Sequence, residues 1–420
     1  MPPSRGVGGL LRHREFRLLW IGETISSVGN SMAAVAMPLL AVTVLHASTF
    51  IVGVLLAAAY LPWLVFGLPA GAWLDRLRPR RVMILCDIVS AALYASVPVA
   101  AWAGVLSLTQ LLIVAFLAGS ANVMFGTAYQ VFLPSLVAPA DLVEGNAKLQ
   151  GSASAAALGG PGLAGLVAQA VGVVAAMLIN AVSFAVSLAC LLGIGEAGAQ
   201  PAAPRVRGPI RRDVADGIKF VARDPYLARL GTFGMVGNFA LTGFQALMVV
   251  FLVRVMHSDP LEVGFLAATL GVGGVCGALV AGTIGRKLGT ARGLLLTTLC
   301  TLPFGLLIPA ADPGPRLALY VVGVLLTAVG IAVANIIMAT FRQAYSPPGM
   351  LGRVTATMRL LTVGTSPVGA LFGGALGTAI GVRNALWIIF SIIAASGITL
   401  ITRAFAESRD LPTRPAVVHD

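Results

Sequence analysis

The stretch GAWLDRLRPRR, residues 71–81, decides how this chain is read. Between Arg17 and Asp75 the only Asp, Glu, Lys or Arg is Glu23, and then one acid and four arginines crowd into eleven positions. The flanking runs are long and apolar, so the cluster is a polar break between two of them.

The rest of the chain has the same character. Of its 420 residues 58% are hydrophobic and 10% are charged, against about 25% charged in an average soluble domain. Mean hydropathy is strongly positive. A water-soluble exterior cannot be clothed from so few polar groups. Apolar runs of about 20 residues suffice to cross a bilayer, and a helix satisfies its own backbone there. The expected fold class is therefore an all-α membrane protein with twelve transmembrane helices. They are placed near 17–44, 50–74, 82–103, 107–132, 148–169, 172–195, 228–253, 261–284, 291–310, 316–340, 354–379 and 384–404. The longest break, 196–227, holds Pro201, Pro204 and Pro209 beside a basic cluster and reads as a cytoplasmic linker. It separates a six-helix half, 1–195, from a second, 228–420, with a short cytoplasmic tail.

Net charge is +12, yet no basic stripe with interleaved aromatics suggests a nucleic-acid partner. The lysines and arginines sit in alternate breaks: 24 on the side of the termini and linker, three on the other, and Arg359 inside a span. By the positive-inside rule the termini and the linker are cytoplasmic. No small-residue cleavage site follows the first apolar run, so span 1 is expected to be retained. The four cysteines fall inside apolar runs without metal-ligand spacing and read as buried thiols. No metal site, cofactor, nucleotide loop or nucleophile–base pair is found, so the chain is not expected to be an enzyme.

The two halves repeat. VGN occurs at 28–30 and 236–238, an offset of 208. The spacing Asn122, Gln130, Pro134 returns as Asn335, Gln343, Pro347, offset 213. Pro161 in GGPG matches Pro367 ahead of VGALFGG, offset 206, and GAWLDRLRPRR aligns with GTIGRKLGTAR at 282–292, offset 211. Only seven asparagines exist, and four of them form two matched pairs. Equivalent spans run the same way, which makes the halves parallel repeats about an axis along the membrane normal.

With the repeat in view, residues 71–81 resemble the signature that major facilitator transporters carry between spans 2 and 3. Gly71, Asp75, Arg76, Arg80 and Arg81 match, and Pro79 stands where many members have Gly. The resemblance implies that this cluster is an inner-gate latch that holds the outward-facing state; a plain positive-inside anchor is the simpler alternative. In the second copy Arg286 stands where the first has Asp75, which puts a symmetric second latch in doubt. FRLLWIGETISSVGNSM (16–32), LPSLV (133–137), MLGRVTATMRLL (350–361) and SPVGALFGG (366–374) look like the bacterial macrolide-efflux and siderophore-export branch. ALGGPGLAG, with Gly160, Pro161, Gly162 and Gly165, approximates the antiporter pattern of span 5. A Gly/Pro packing kink is its alternative reading.

Ionisable groups inside spans are functional candidates by default, and Glu23, Asp87 and Arg359 qualify. Asp87 and Arg359 lie within one or two turns of the cytoplasmic side and read first as partners of the gate cluster. Glu23 precedes Asn30 by seven residues and shares its helix face. The resemblance implies that spans 1, 4, 7 and 10 line a central cavity. Asn30, Asn122, Asn238 and Asn335 fall one on each, with Gln245 on the face of Asn238. Such amides in an apolar wall can orient a small molecule, or can simply bond helix to helix. If Glu23 faces that cavity, loss of water favours its protonated form and proton exchange becomes possible, with Asp87 next in line. Trp63, Phe66, Phe125, Phe239 and Phe244 are further candidates for stacking a flat substrate.

The expectation is a monomeric exporter of lipophilic or amphiphilic small molecules (drug, antibiotic or siderophore class) in a bacterial cytoplasmic membrane, driven by proton antiport. Its partners are the small-molecule substrate, protons and the bilayer. An importer or uniporter on the same fold, and a non-transporting membrane partner or sensor, are the alternatives.

Overall fold

A computed structural model describes residues 9–67, 77–195, 210–347, 350–402, 405 and 408–412. Among them are twelve helices long and apolar enough to cross a membrane, and no β-strand. Spans 1 to 6 are Arg14–Thr43, Thr49–Phe66, Pro79–Trp102, Leu108–Leu136, Leu142–Val171 and Val173–Gly193. Spans 7 to 12 are Pro225–Arg254, Pro260–Leu288, Thr290–Leu307, Leu317–Tyr345, Leu351–Ile380 and Val382–Leu400. The side read as cytoplasmic from the lysine and arginine distribution is called inner below.

The expected spans all appear, but several run further inward than hydropathy alone suggests. Span 5 begins at Leu142, where its polar first turns are tied to span 1. Glu144 accepts the Leu10 N–H at 3.4 Å and pairs with Lys148 at 3.5 Å, and the Trp20 Nε1–H donates to the Lys148 carbonyl at 3.4 Å. Span 10 continues to Tyr345, where Phe341 and Tyr345 are buried on one face of its inner end. The end of span 2 that the sequence places at 67–74 lies largely outside the described residues. The linker contains a helix, Ile210–Arg223, that its prolines and charges conceal. Pro303 leaves span 9 finishing in a 3₁₀ stretch, Leu302–Leu307.

Contacts divide the chain into two units. One comprises Met1–Ala47, Ala58–Arg205 and Ser258–Ala268; the other comprises Ser48–Ala57, Val206–His257 and Thr269–Asp420. The outer end of span 2 thus belongs with the second unit, and that of span 8 with the first. Glycine makes both attachments. In the second unit a Cβ on Gly53 would lie 2.9 Å from Cα of Gly374 in span 11. In the first, a Cβ on Gly264 would lie 2.7 Å from Cα of Gly165 in span 5. Lipid offers no hydrophobic drive for helix pairing, so backbones that can approach this closely are a main source of cohesion.

Within the first unit span 1 packs along spans 5 and 6, and span 3 along spans 4 and 6. Within the second, span 7 packs along the outer part of span 11 and along span 12. Span 11 itself is broken into Leu351–Gly364 and Ser366–Ile380. Pro367 lacks the N–H that would continue the ladder, and Thr365 sits at the junction.

Candidate functional site

The first unit gathers the two intramembrane acids. Glu23 is carried by span 1 and Asp87 by span 3, and their charges act on one another. Asp87 is fully buried. Neither of its oxygens has a hydrogen-bond partner, and Glu23 Oε1 is equally without one. The Ser187 hydroxyl of span 6 approaches Asp87 without forming a well-made bond. Tyr129 of span 4 lies within reach of the Glu23 charge, and the Cys86 and Cys190 thiols lie near that of Asp87. Span 1 comes close to span 6 where Gly22 faces Ser187 and Cys190, and a Cβ there would make a tight 3.2 Å contact with Cys190 Cβ. Gly29 likewise faces Asn180 and Ser183.

Burying an ionised carboxylate without a partner is costly, and a second acid whose charge reaches it adds repulsion. A proton or an approaching cation relieves both. Among the described residues no group of three or more His, Cys, Asp or Glu side chains is placed to hold a metal ion. Carboxyl oxygens that lack partners and feel one another's charge are suited to taking up and releasing protons.

The latch residues Gly71, Asp75 and Arg76 lie outside the described residues. Pro79 opens span 3, the first helical turn where its missing N–H costs nothing. Arg80 donates through Nε and Nη2 to the Leu191 carbonyl at 3.2 and 3.0 Å, and through Nη2 to the Leu192 carbonyl at 3.2 Å. It thereby caps the inner end of span 6, where a cation also answers the helix dipole. Arg81 is exposed beside it, and Arg359 is exposed on the inner part of span 11.

The amides separate by role. Asn30 is half-buried and Asn122 exposed in the first unit; Gln245 is half-buried and Asn335 exposed in the second. Asn238 is committed elsewhere. Its Nδ2 donates to the Thr362 carbonyl at 2.6 Å and to Ser366 Oγ at 2.7 Å, bridging the break in span 11. Gly160 of span 5 packs against Ser31 and Met32 of span 1, Gly162 against Phe265 and Gly165 against Gly264. The Pro161 carbonyl abuts Gly264, so the span 5 pattern is built for close helix approach. Phe244 is buried against Phe390, and the half-buried Phe239 lies against Phe372, so each ring has an aromatic neighbour within its unit.

Sequence reasoning passed over Asn180, which is fully buried with Oδ1 accepting from Ser183 Oγ at 3.2 Å. Its intramembrane position was the available signal; it has no partner in the repeat. Asp224 was also missed, although an acid followed by Pro225 is a readable helix start.

A family model described as Major Facilitator Superfamily matches residues 19–365. The multidrug efflux pump Tap of Mycolicibacterium fortuitum is 27% identical over 411 residues, covering 95% of this chain and 98% of that protein. The enterobactin exporter EntS of Shigella boydii serotype 4 (strain Sb227) is 26% identical over 382 residues, covering 88% and 86%. Among solved structures, the nucleoside transporter NupG superimposes with a TM-score of 0.75 at 13% identity, over 92% of this chain and 98% of that one. A bacterial homologue of the iron transporter ferroportin in its inward-facing state gives 0.74 at 18% identity, over 92% and 98%. With its twelve apolar spans and a family match over most of its length, the chain belongs to the Major Facilitator Superfamily and is a multi-pass membrane protein of that transporter family.

Proposed function

We propose that the protein exports lipophilic or amphiphilic small molecules across a bacterial cytoplasmic membrane by proton antiport, with both termini in the cytoplasm. Similarity to the Tap and EntS exporters over nearly the whole chain supports export. The observation that carries proton coupling is the half-buried Glu23 with the fully buried Asp87, three of whose four carboxyl oxygens have no partner. Glu23 takes the proton and Asp87 shares the site. In the alternating-access cycle that goes with this fold, proton arrival from one side and release to the other drives substrate the opposite way. Asn30, Asn122, Gln245 and Asn335 are the polar groups offered to substrate, while Asn238 holds span 11 in shape. Asp75 with Arg76, Arg80 and Arg81 forms the inner latch, with Gly71 allowing the close approach it needs.

The test uses everted vesicles, acidified inside, with a pH-sensitive dye and a panel of macrolides, tetracyclines and siderophores. A compound that collapses the gradient with the wild type but not with Glu23→Gln supports both the antiport and the residue. Collapse that survives Glu23→Gln but not Asp87→Asn moves the proton to Asp87. No response to any compound, with folded protein in the membrane, removes the antiport reading.

A further inference from the structure

An α-helix begins with N–H groups that have no acceptor inside the helix, and a side chain at the N-cap usually supplies one. Span 9 cannot use that solution. It follows span 8 after a single residue, Gly289, held at φ +87, which has no side chain to offer.

The missing acceptors come from the far end of the chain. The Thr290 N–H donates to Asp410 Oδ1 at 2.8 Å. The Ala291 and Arg292 N–H groups donate to the Arg409 carbonyl at 3.1 and 3.3 Å. The Leu411 N–H donates in return to Thr290 Oγ1 at 2.8 Å, and the Leu411 side chain is buried. Arg409 also reaches back to span 8, its Nη2 donating to the Arg286 carbonyl at 3.5 Å. The tail therefore presents acceptors to the start of one helix and a cation to the end of the other, the favourable sign at each. Arg409 packs so closely on Gly289 that a Cβ there would collide with it.

This is also the turn whose sequence departs from its repeat copy. The first half carries an acid, Asp75, where the second has Arg286. We propose that residues 408–412 form an intramolecular strap that supplies, from the tail, the carboxylate this turn lacks, and that transport requires the strap to be docked. The strap is a conformational device independent of which compound the protein carries.

Two readouts test it in the full-length protein in nanodiscs and vesicles. Amide exchange at 290–292 is expected to rise about tenfold in Asp410→Ala and further on truncation after residue 407. Asp410→Asn, which keeps an acceptor oxygen, should lie between. Transport of the compound found with the vesicle panel should fall several-fold in the truncated chain. Unchanged exchange in both Asp410→Ala and the truncated chain overturns the strap. Transport unchanged by truncation overturns its stated role. Exchange needs no substrate, so a failure of the export reading and a failure of the strap are told apart.

Discussion

The Tyr345 hydroxyl donates a 2.6 Å hydrogen bond to Oδ2 of Asp224, joining the inner ends of spans 10 and 7. The other oxygen of Asp224 accepts the Tyr226 and Leu227 N–H groups at 3.0 and 2.9 Å and so caps span 7. Tyr226 in turn packs among Phe341, Tyr345 and Phe405. Tyr345→Phe leaves a buried carboxylate oxygen without its donor and should cost about 1–2 kcal/mol. Asp224→Ala removes the cap as well and should cost more, by about 1 kcal/mol. Thermal unfolding in detergent orders the two; a smaller loss for Asp224→Ala would contradict the capping role.

Asn238 donates to one backbone carbonyl and one hydroxyl on either side of the break in span 11. Asn238→Leu should lower stability by about 1–3 kcal/mol, since it leaves the half-buried Thr362 carbonyl without its donor. Asn238→Asp should be at least as harmful, because it sets an acceptor against an acceptor. A double-mutant cycle with Ser366→Ala measures the shared part, and zero coupling would dissociate Asn238 from the break.

Gly53, Gly374, Gly165 and Gly264 each face backbone within 3.0 Å of where a Cβ would stand. Gly374→Ala and Gly264→Ala should each destabilise by about 1–3 kcal/mol, as overpacking does, and slow transport. Gly159 and Gly274 meet nothing within 4 Å. Alanine at these two should be neutral or stabilising by up to about 1 kcal/mol. If all four substitutions behaved alike, close packing would not explain these glycines.

At the outer face Asp312 accepts from Arg383 Nη2 at 2.7 Å and pairs with Arg316 at 3.4 Å. The Arg383 hydrogen bond, followed by the charges of both arginines, holds its carboxyl below the usual carboxylate value. A carboxyl depressed in the folded state adds stability that is present above its unfolded value, about 3.9, and is lost as pH falls through the folded value. The difference in unfolding midpoint between wild type and Asp312→Asn should therefore be largest near neutral pH and shrink below about pH 4. It should also shrink in high salt, because the pair is exposed. A difference that is flat across this range would remove the ion pair as its cause.

Much of this molecule is legible in its sequence because a bilayer imposes a length on every span. Twelve apolar runs give the fold, and the matched asparagines, prolines and basic breaks disclose the repeat. Glu23 and Asp87 stand out because charge inside a span is rare. The remainder depends on pairings between distant positions. Nothing near Asn238 announces that its amide is spent on Thr362 and Ser366, because that requires knowing that span 11 breaks. Tyr345 and Asp224, or Thr290 and Asp410, are likewise partners only once the helices are assembled. The early start of span 5 was hidden because its first turns are polar and gain their place from contacts with Leu10 and Trp20.

The exchange of helix ends between the two units has a consequence for how the protein is made. The first unit includes Ser258–Ala268, which lie beyond the linker and beyond span 7. A ribosome that has finished the first six spans has therefore not yet supplied every part of the first unit. The glycine face of span 5 at Gly165 must wait in the bilayer until Gly264 has been synthesised and inserted. Severing the gene at the linker would leave each product short of a piece carried by the other, so the halves should mature only when produced together.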